Sequence, residues 1–149
     1  MYLKAFPKYP TKIKKTNEGS LQIFDIVRKK HVNLTPEEWV RQHVLHYLVE
    51  DLKIDKVRVA VEKEFQYKSH SKRFDVMVYH NHRPKLLVEC KAAHVSLDQS
   101  VADQIGRYNF VFESEFLLIT NGMASMYFQR FEEKGYQSIS KSEFEQTFS

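Results

Sequence analysis

One cysteine, Cys90, occurs among the 149 residues. An intramolecular disulfide is thereby excluded, and a lone thiol fits a reducing, cytoplasmic setting. Glycine and proline number only four each, too few for a collagenous or linker-rich chain. No apolar run approaches the ~20 residues that a membrane-spanning helix needs. The start, Met1-Tyr2-Leu3-Lys4-Ala5-Phe6-Pro7, lacks the apolar centre of a secretion signal. No glycine-rich phosphate loop is present, so nothing points to a nucleoside triphosphate. Without a second cysteine, the histidines do not make a structural zinc site, although His43 and His46 share a helix and His80 and His82 share a turn.

What is there reads as one α/β domain over residues 1–149, with an arm and β-hairpin over 1–34, a core over 35–131 and a C-terminal helix over 132–149. The net charge of +4 suits a polyanionic partner. Basic residues gather at Lys12–Lys15, at Arg28-Lys29-Lys30-His31 and from Lys68 through Lys72 to Arg73. Each cluster reads first as solvated surface and second as a track for phosphates.

Residues 1–20 are expected to lie as an irregular arm, with Glu18-Gly19 turning a hairpin into strands at Leu21–Val27 and Lys30–Leu34. Thr35-Pro36-Glu37-Glu38 starts a helix: Thr35 caps, Pro36 fills the first turn and Glu38 completes a capping box. Val40, Val44, Tyr47, Leu48 and Leu52 form its apolar stripe. Three runs, Lys56–Phe65, Arg73–Tyr79 and Lys85–Lys91, read as an antiparallel meander. Ser96 caps a second helix with Leu97, Val101, Ile105, Tyr108 and Phe112 inward. Glu115–Thr120 is a buried strand, Ser125–Phe131 another, and Ser142–Phe148 a short terminal helix.

Strand parity puts Leu87, Glu89 and Lys91 on one face and Leu86, Val88 and Cys90 on the other. Asp75 stands on the preceding strand. A hard divalent cation takes oxygen ligands, and two carboxylates with the backbone carbonyl of Cys90 supply part of an octahedron. A lysine two residues from the glutamate can orient or deprotonate an attacking water and offset developing charge. The plainer reading makes Asp75 a surface residue and Glu89-x-Lys91 an exposed ion pair. Cys90 faces the core as an inert thiol, and His94, close after the strand, can touch phosphate.

Arg73-Phe74-Asp75 followed by Leu87-Val88-Glu89-Cys90-Lys91-Ala92 resembles the core of the PD-(D/E)XK nuclease superfamily. Gln104-x-x-x-Tyr108-Asn109 resembles the Q-x-x-x-Y element of its exonuclease and restriction-subunit branches, and Thr120-Asn121-Gly122 matches the same group. With Pro36–Gln42, the set resembles the N-terminal domain of type I restriction enzyme R subunits, in particular small stand-alone bacterial members, over roughly residues 34–131.

The resemblance implies a restriction-endonuclease-like mixed sheet of four to five strands flanked by helices, here with an N-terminal β-hairpin extension. It implies Mg²⁺- or Mn²⁺-dependent hydrolysis of DNA, with Asp75 and Glu89 as metal ligands and Lys91 as the catalytic lysine. Gln104 would join the catalytic set. Tyr108 would contact DNA or lie in the core, while Lys72, Arg73 and His94 would meet its phosphates. Glu62 or Glu64 would add an upstream acid, Glu62 being slightly preferred; Glu38 is a further candidate that its capping role already explains. The restriction subunits carry motor domains after this module, so ATP-driven translocation is not expected of this chain. A non-catalytic nucleic-acid-binding module of a restriction or defence assembly is the alternative, an RNA or flap substrate is a third possibility, and a homodimer would allow concerted cutting of a duplex.

Overall fold

The computed structural model describes residues 1–149, apart from the side chains of Phe65, Tyr67, His70 and Lys72. Strands β1 (Ile13–Lys15), β2 (Leu21–Asp25) and β3 (Lys30–Asn33) form an antiparallel sheet in that order. Gly19 makes the first turn at φ +89°, a left-handed conformation that glycine adopts without a Cβ penalty. The arm before β1 is irregular, as expected, but it is packed onto the core. Leu3 and Phe6 are buried in the main core, and the Ala5 N–H donates to the Gly122 carbonyl at 2.9 Å. Two apolar anchors were hidden among the lysines and prolines of that segment.

Helix α1 (Pro36–His46) continues through a wider turn over Tyr47–Asp51. Thr35 caps it, its hydroxyl accepting the Glu38 N–H at 3.0 Å. The expected apolar stripe is buried, but so is the polar side: Glu38, Arg41, Gln42 and His46 are all removed from solvent.

The run from Lys56 to Phe65 does not form one strand. A single 3₁₀ turn leads into β4 (Val59–Val61), Glu62 breaks the strand at φ +49°, and a hairpin of β5 (Glu64–Tyr67) and β6 (His70–Arg73) follows. The hairpin turns at Lys68-Ser69. Then come β7 (Val76–His80) and β8 (Arg83–Cys90), joined at Asn81-His82, where both residues have positive φ as a tight hairpin turn requires. Helix α2 (Gln99–Asn109) is capped by Asp98, which accepts the Val101 N–H at 2.8 Å, and not by Ser96. Strands β9 (Phe116–Thr120), β10 (Ser125–Phe131) and β11 (Gly135–Ile139) precede α3 (Lys141–Gln146). The reading of 132–149 as helix passed over β11, whose Gly135-Tyr136-Gln137-Ser138-Ile139 has little apolar periodicity.

Among the described residues, six strands form a mixed sheet in the order β11-β10-β9-β8-β7-β4. The β8–β9 pair is parallel, with α2 as its crossover, and the other neighbours run antiparallel. The fold is therefore the mixed α/β arrangement expected, one strand wider, with the N-terminal hairpin grown to three strands. Val76, Val78, Leu86, Val88 and Leu118 pack on one side against Val40, Val44 and Leu48 of α1 and Phe144 of α3. Met77, Leu87, Leu117 and Ile119 pack on the other side against Ala102 of α2 and Phe112 beyond it. Period-two alternation along β8 feeds both layers.

Candidate functional site

Asp75 lies in the bend just before β7 rather than inside a strand. Strand pairing runs one step past Val61↔Val76, the Glu62 N–H donating to the Asp75 carbonyl at 2.9 Å. The left-handed turn at Glu62 then sends the β5–β6 hairpin away, and the end of the sheet opens there. Asp75 Oδ2 accepts the backbone N–H of Cys90 at 2.8 Å. This bond fixes the carboxylate beside the end of β8.

Glu89 shares its strand face with Leu87, opposite Cys90, as parity required. It meets Asp75 there, and the two carboxyl groups hydrogen bond to each other. Burial first, and then the Asp75 charge, push Glu89 up to about 8, with the Lys91 ammonium acting in the opposite direction. Two half-buried carboxyl groups this close do not both ionise at little cost, so Glu89 keeps its proton to higher pH than a free glutamate. Lys91 follows β8 directly, its N–H anchored on the Thr120 carbonyl at 2.9 Å. The Cys90 thiol faces the core, and complete burial holds it well above the ordinary thiol range.

Helix α1 brings the opposing charge. Arg41, only 4% exposed, reaches Glu38 at 2.7 Å, Glu62 at 3.1 Å, and Glu37 and Asp75 at 3.2 Å each. Burial pulls its guanidinium down, but the carboxylates, Glu38 and Asp75 foremost, outweigh it and push the group up. Arg28 pairs with Asp25 at 2.8 Å and with Glu38 and Glu62 at 3.2 Å. Asp25 is fully buried; burial opposes its ionisation, yet bonds from the Arg28 backbone, Gln42 and the Arg28 side chain hold it below the ordinary carboxylate range.

The capping reading of Glu38 needs correction. Its backbone N–H is capped, but its carboxylate turns to Arg28, Arg41 and Gln42 instead of back to Thr35. Its neighbour Glu37 faces the Asp75–Glu89 pair: burial and the Asp75 charge raise it, while Arg41 and Lys91 oppose the rise. Sequence reasoning missed Glu37 and Arg41. The available signal was their i, i+4 spacing, which puts both on one helix face.

Of the two upstream acids, Glu62 joins this cluster, while Glu64 is exposed on β5 opposite Arg73. Arg73 is largely exposed and pairs with Glu62 at 3.3 Å. The Lys72 side chain lies outside the described residues. Gln104 and Tyr108 stand on the exposed side of α2, Tyr108 at 47% exposure, so the inward orientation read for Tyr108 does not hold. Ala102 and Asn109 are the α2 residues that bury instead.

The carboxylates adjoin a groove of about 710 Å³ between the N-terminal sheet, the start of α1 and the segment after β8. Lys30, His31 and His94 line it together with Glu37, Glu38, Glu62, Arg28 and Arg41. Among the described residues no three His, Cys, Asp or Glu side chains converge as a ready metal cage. The donor set is instead a pair of hard carboxylates, Asp75 and Glu89, close enough to act on each other. That suits Mg²⁺, which uses one or two carboxylates and fills its octahedron with water and phosphate oxygens.

No helix is long and apolar enough to cross a membrane among the described residues. No curated protein and no solved structure matches the chain. A family model does: the one described as Type I restriction enzyme R protein N terminus (HSDR_N) matches residues 36–142. The match takes in α1, the Asp75–Glu89 pair, Lys91 and α2, and the chain belongs to that family.

Proposed function

We propose that the chain is a divalent-metal-dependent nuclease of restriction or defence, hydrolysing the phosphodiester backbone of DNA through a PD-(D/E)XK-type site. The observation that carries this reading is the contact between Asp75 and Glu89 beside Lys91, next to a groove whose lining residues Arg41 and Glu62 bond to Asp75. Bringing two carboxylates together off a sheet end is costly unless a cation comes between them.

Asp75 and Glu89 would hold Mg²⁺ or Mn²⁺, with the Cys90 carbonyl available beside them and Glu62 as the acid nearest to hand. The metal supplies Lewis-acid polarisation of the phosphate and a more acidic water. The chain's own residues do the rest. The Cys90 N–H fixes the Asp75 rotamer, so one oxygen faces the pair in a set direction. Lys91 would orient the attacking water and balance the negative charge that develops on the phosphate. Arg41 offsets the charge of Glu38, an acid outside the proposed metal set, so that it does not repel a phosphate. Arg73 and His94, both exposed at this end of the sheet, are available to phosphate oxygens, and Gln104 and Tyr108 to substrate passing over α2.

The test is incubation of the protein with linear and nicked DNA plus Mg²⁺ or Mn²⁺, alongside Lys91→Ala. Cleavage by the parent and a loss of roughly 10²–10⁴-fold in the variant are expected. Cleavage that survives Lys91→Ala refutes the mechanism. Salt-sensitive binding without cleavage would instead identify a non-catalytic binding module of a restriction assembly.

A further inference from the structure

The family match begins at residue 36, and the charge of the chain divides at the same place. Residues 1–35 carry eight Lys and Arg against two acids, Glu18 and Asp25. That surplus of six exceeds the +4 of the whole chain, so residues 36–149 are net negative by two. Asp25, moreover, is buried and bound by Arg28 and Gln42, so it presents no charge to a ligand. The family core, with its cluster of carboxylates, has no net attraction for a polyanion of its own.

The positive surplus sits on a built surface. The β1–β3 sheet is pinned to the core by Ile23 and Asp25, both fully buried, and by Arg28, which bridges Asp25, Glu38 and Glu62. Lys29, held at φ +56° by its N–H bond to the Asp25 carbonyl, and Lys30 project at the β2–β3 turn, both exposed. Lys30 and His31 line the groove, as Glu37 and His94 do. His31 packs edge-on against Phe24 at 5.3 Å, and the Lys12 ammonium lies 5.8 Å from the centre of the same ring. Lys12 and His31 thus share the Phe24 ring, and Lys29 and Lys30 adjoin His31 in sequence, two of these residues, Lys30 and His31, lining the groove.

We propose that the N-terminal three-stranded sheet is a clamp for the phosphate backbone of duplex DNA, gripping it along Lys12, Lys29, Lys30 and His31 beside the carboxylate pair. The proposal rests on the reading of that pair as a nucleic-acid site. It adds the surface that makes the ligand bind, which lies outside the family region.

Binding of a fluorescein-labelled 20-base-pair duplex, followed by anisotropy in EDTA between 50 and 200 mM NaCl, separates the clamp from any cleavage. Each lost phosphate contact makes the slope of log K against log salt shallower by about 0.9. Lys12→Gln/Lys29→Gln/Lys30→Gln should make it shallower by nearly three and weaken binding at least about tenfold at 100 mM NaCl. Glutamine leaves the strain at Lys29 unchanged. A control triple, Lys53→Gln/Lys56→Gln/Lys134→Gln, removes the same charge from exposed positions that do not line the groove and should change the slope little. If the first triple does not fold, the single Lys30→Gln, expected to cost about 0.9 in slope, carries the test.

Parent affinity and slope in the N-terminal variant, or an equal loss in the control, overturns the clamp, as does a parent that binds no duplex at 50 mM NaCl. Binding with the expected slope change but no cleavage in Mg²⁺ leaves the clamp standing and removes the nuclease reading instead.

Discussion

Exchanging Glu89 for glutamine tests the retained proton while preserving shape. In the metal-free protein Glu89 is pushed from 4.5 up to about 8 by burial and by the facing Asp75. Between those two values the folded chain holds a proton that the unfolded chain has released. Folding stability is therefore full below about pH 4.5 and declines as pH rises, its loss complete by about pH 8. A gap of some three and a half pH units at about 1.4 kcal/mol each sets a ceiling of roughly 5 kcal/mol. Water reaches the pair, Asp75 being 18% exposed, and screening brings the expected loss to about 2 kcal/mol. Glu89→Gln carries no such proton. It should match the parent near pH 5 and exceed it by about 2 kcal/mol near pH 9.

Urea melts in EDTA across pH 5–9, followed by Trp39 fluorescence, measure this directly. A divalent cation at 100 times its Kd should add about 2.7 kcal/mol to the parent at high pH and much less to the variant. Identical pH slopes in the two proteins would refute the claim that burial and the Asp75 charge hold a proton on Glu89.

Arg41→Met should cost about 3–5 kcal/mol in urea melts at pH 7, because it strands Glu38, Glu62 and Asp75 without their common partner; a cost below 1 kcal/mol would mean that water already compensates those acids. Leu3→Ala should cost about 2–5 kcal/mol, although Leu3 lies third in the chain, whereas Tyr2→Ala, at a position 60% exposed, should stay within about 0.5 kcal/mol. Gly122→Ala should cost more than about 1 kcal/mol, since φ is +83° and the new Cβ would lie 2.8 Å from Leu3 Cδ2. Thermal melts of the double variant Leu3→Ala/Gly122→Ala should then show less than the sum of the two losses, because alanine at position 3 removes the clash.

The strands that bury on both sides were legible, because β8 and β9 are apolar runs and α1 carries a stripe at helical spacing. The elements that were missed are those whose identity depends on docking. Leu3 and Phe6 are two apolar residues with no periodicity around them, and only the core tells them from a loose arm. Ser96 and Asp98 are equally good caps by composition; the bond to Val101 selects Asp98. The break at Glu62 was invisible for a related reason. Val57-Arg58-Val59-Ala60-Val61-Glu62-Lys63-Glu64-Phe65 alternates well enough to run straight through, and it is the left-handed backbone at Glu62, φ +49°, that ends the strand.

The same reasoning explains the division among the acids of the site. Glu89 and Lys91 could be given a common face from the chain because strand parity is a local rule, whereas Asp75, expected within a strand, lies in the bend one residue before β7. Glu37 and Glu38 could not be placed, because two adjacent helical residues point about 100° apart and either can face a sheet whose position is not yet known. The capping box offered a local use for Glu38, and that use is not the one realised. Its carboxylate goes to Arg28, a residue of the N-terminal segment ten positions earlier. That choice frees Glu37 to stand by Asp75 and ties the basic sheet to the acidic core through one arginine. The carboxylate pair and the cation-rich sheet are therefore coupled: moving Arg28 disturbs the charge balance of the site and the position of its outer wall together.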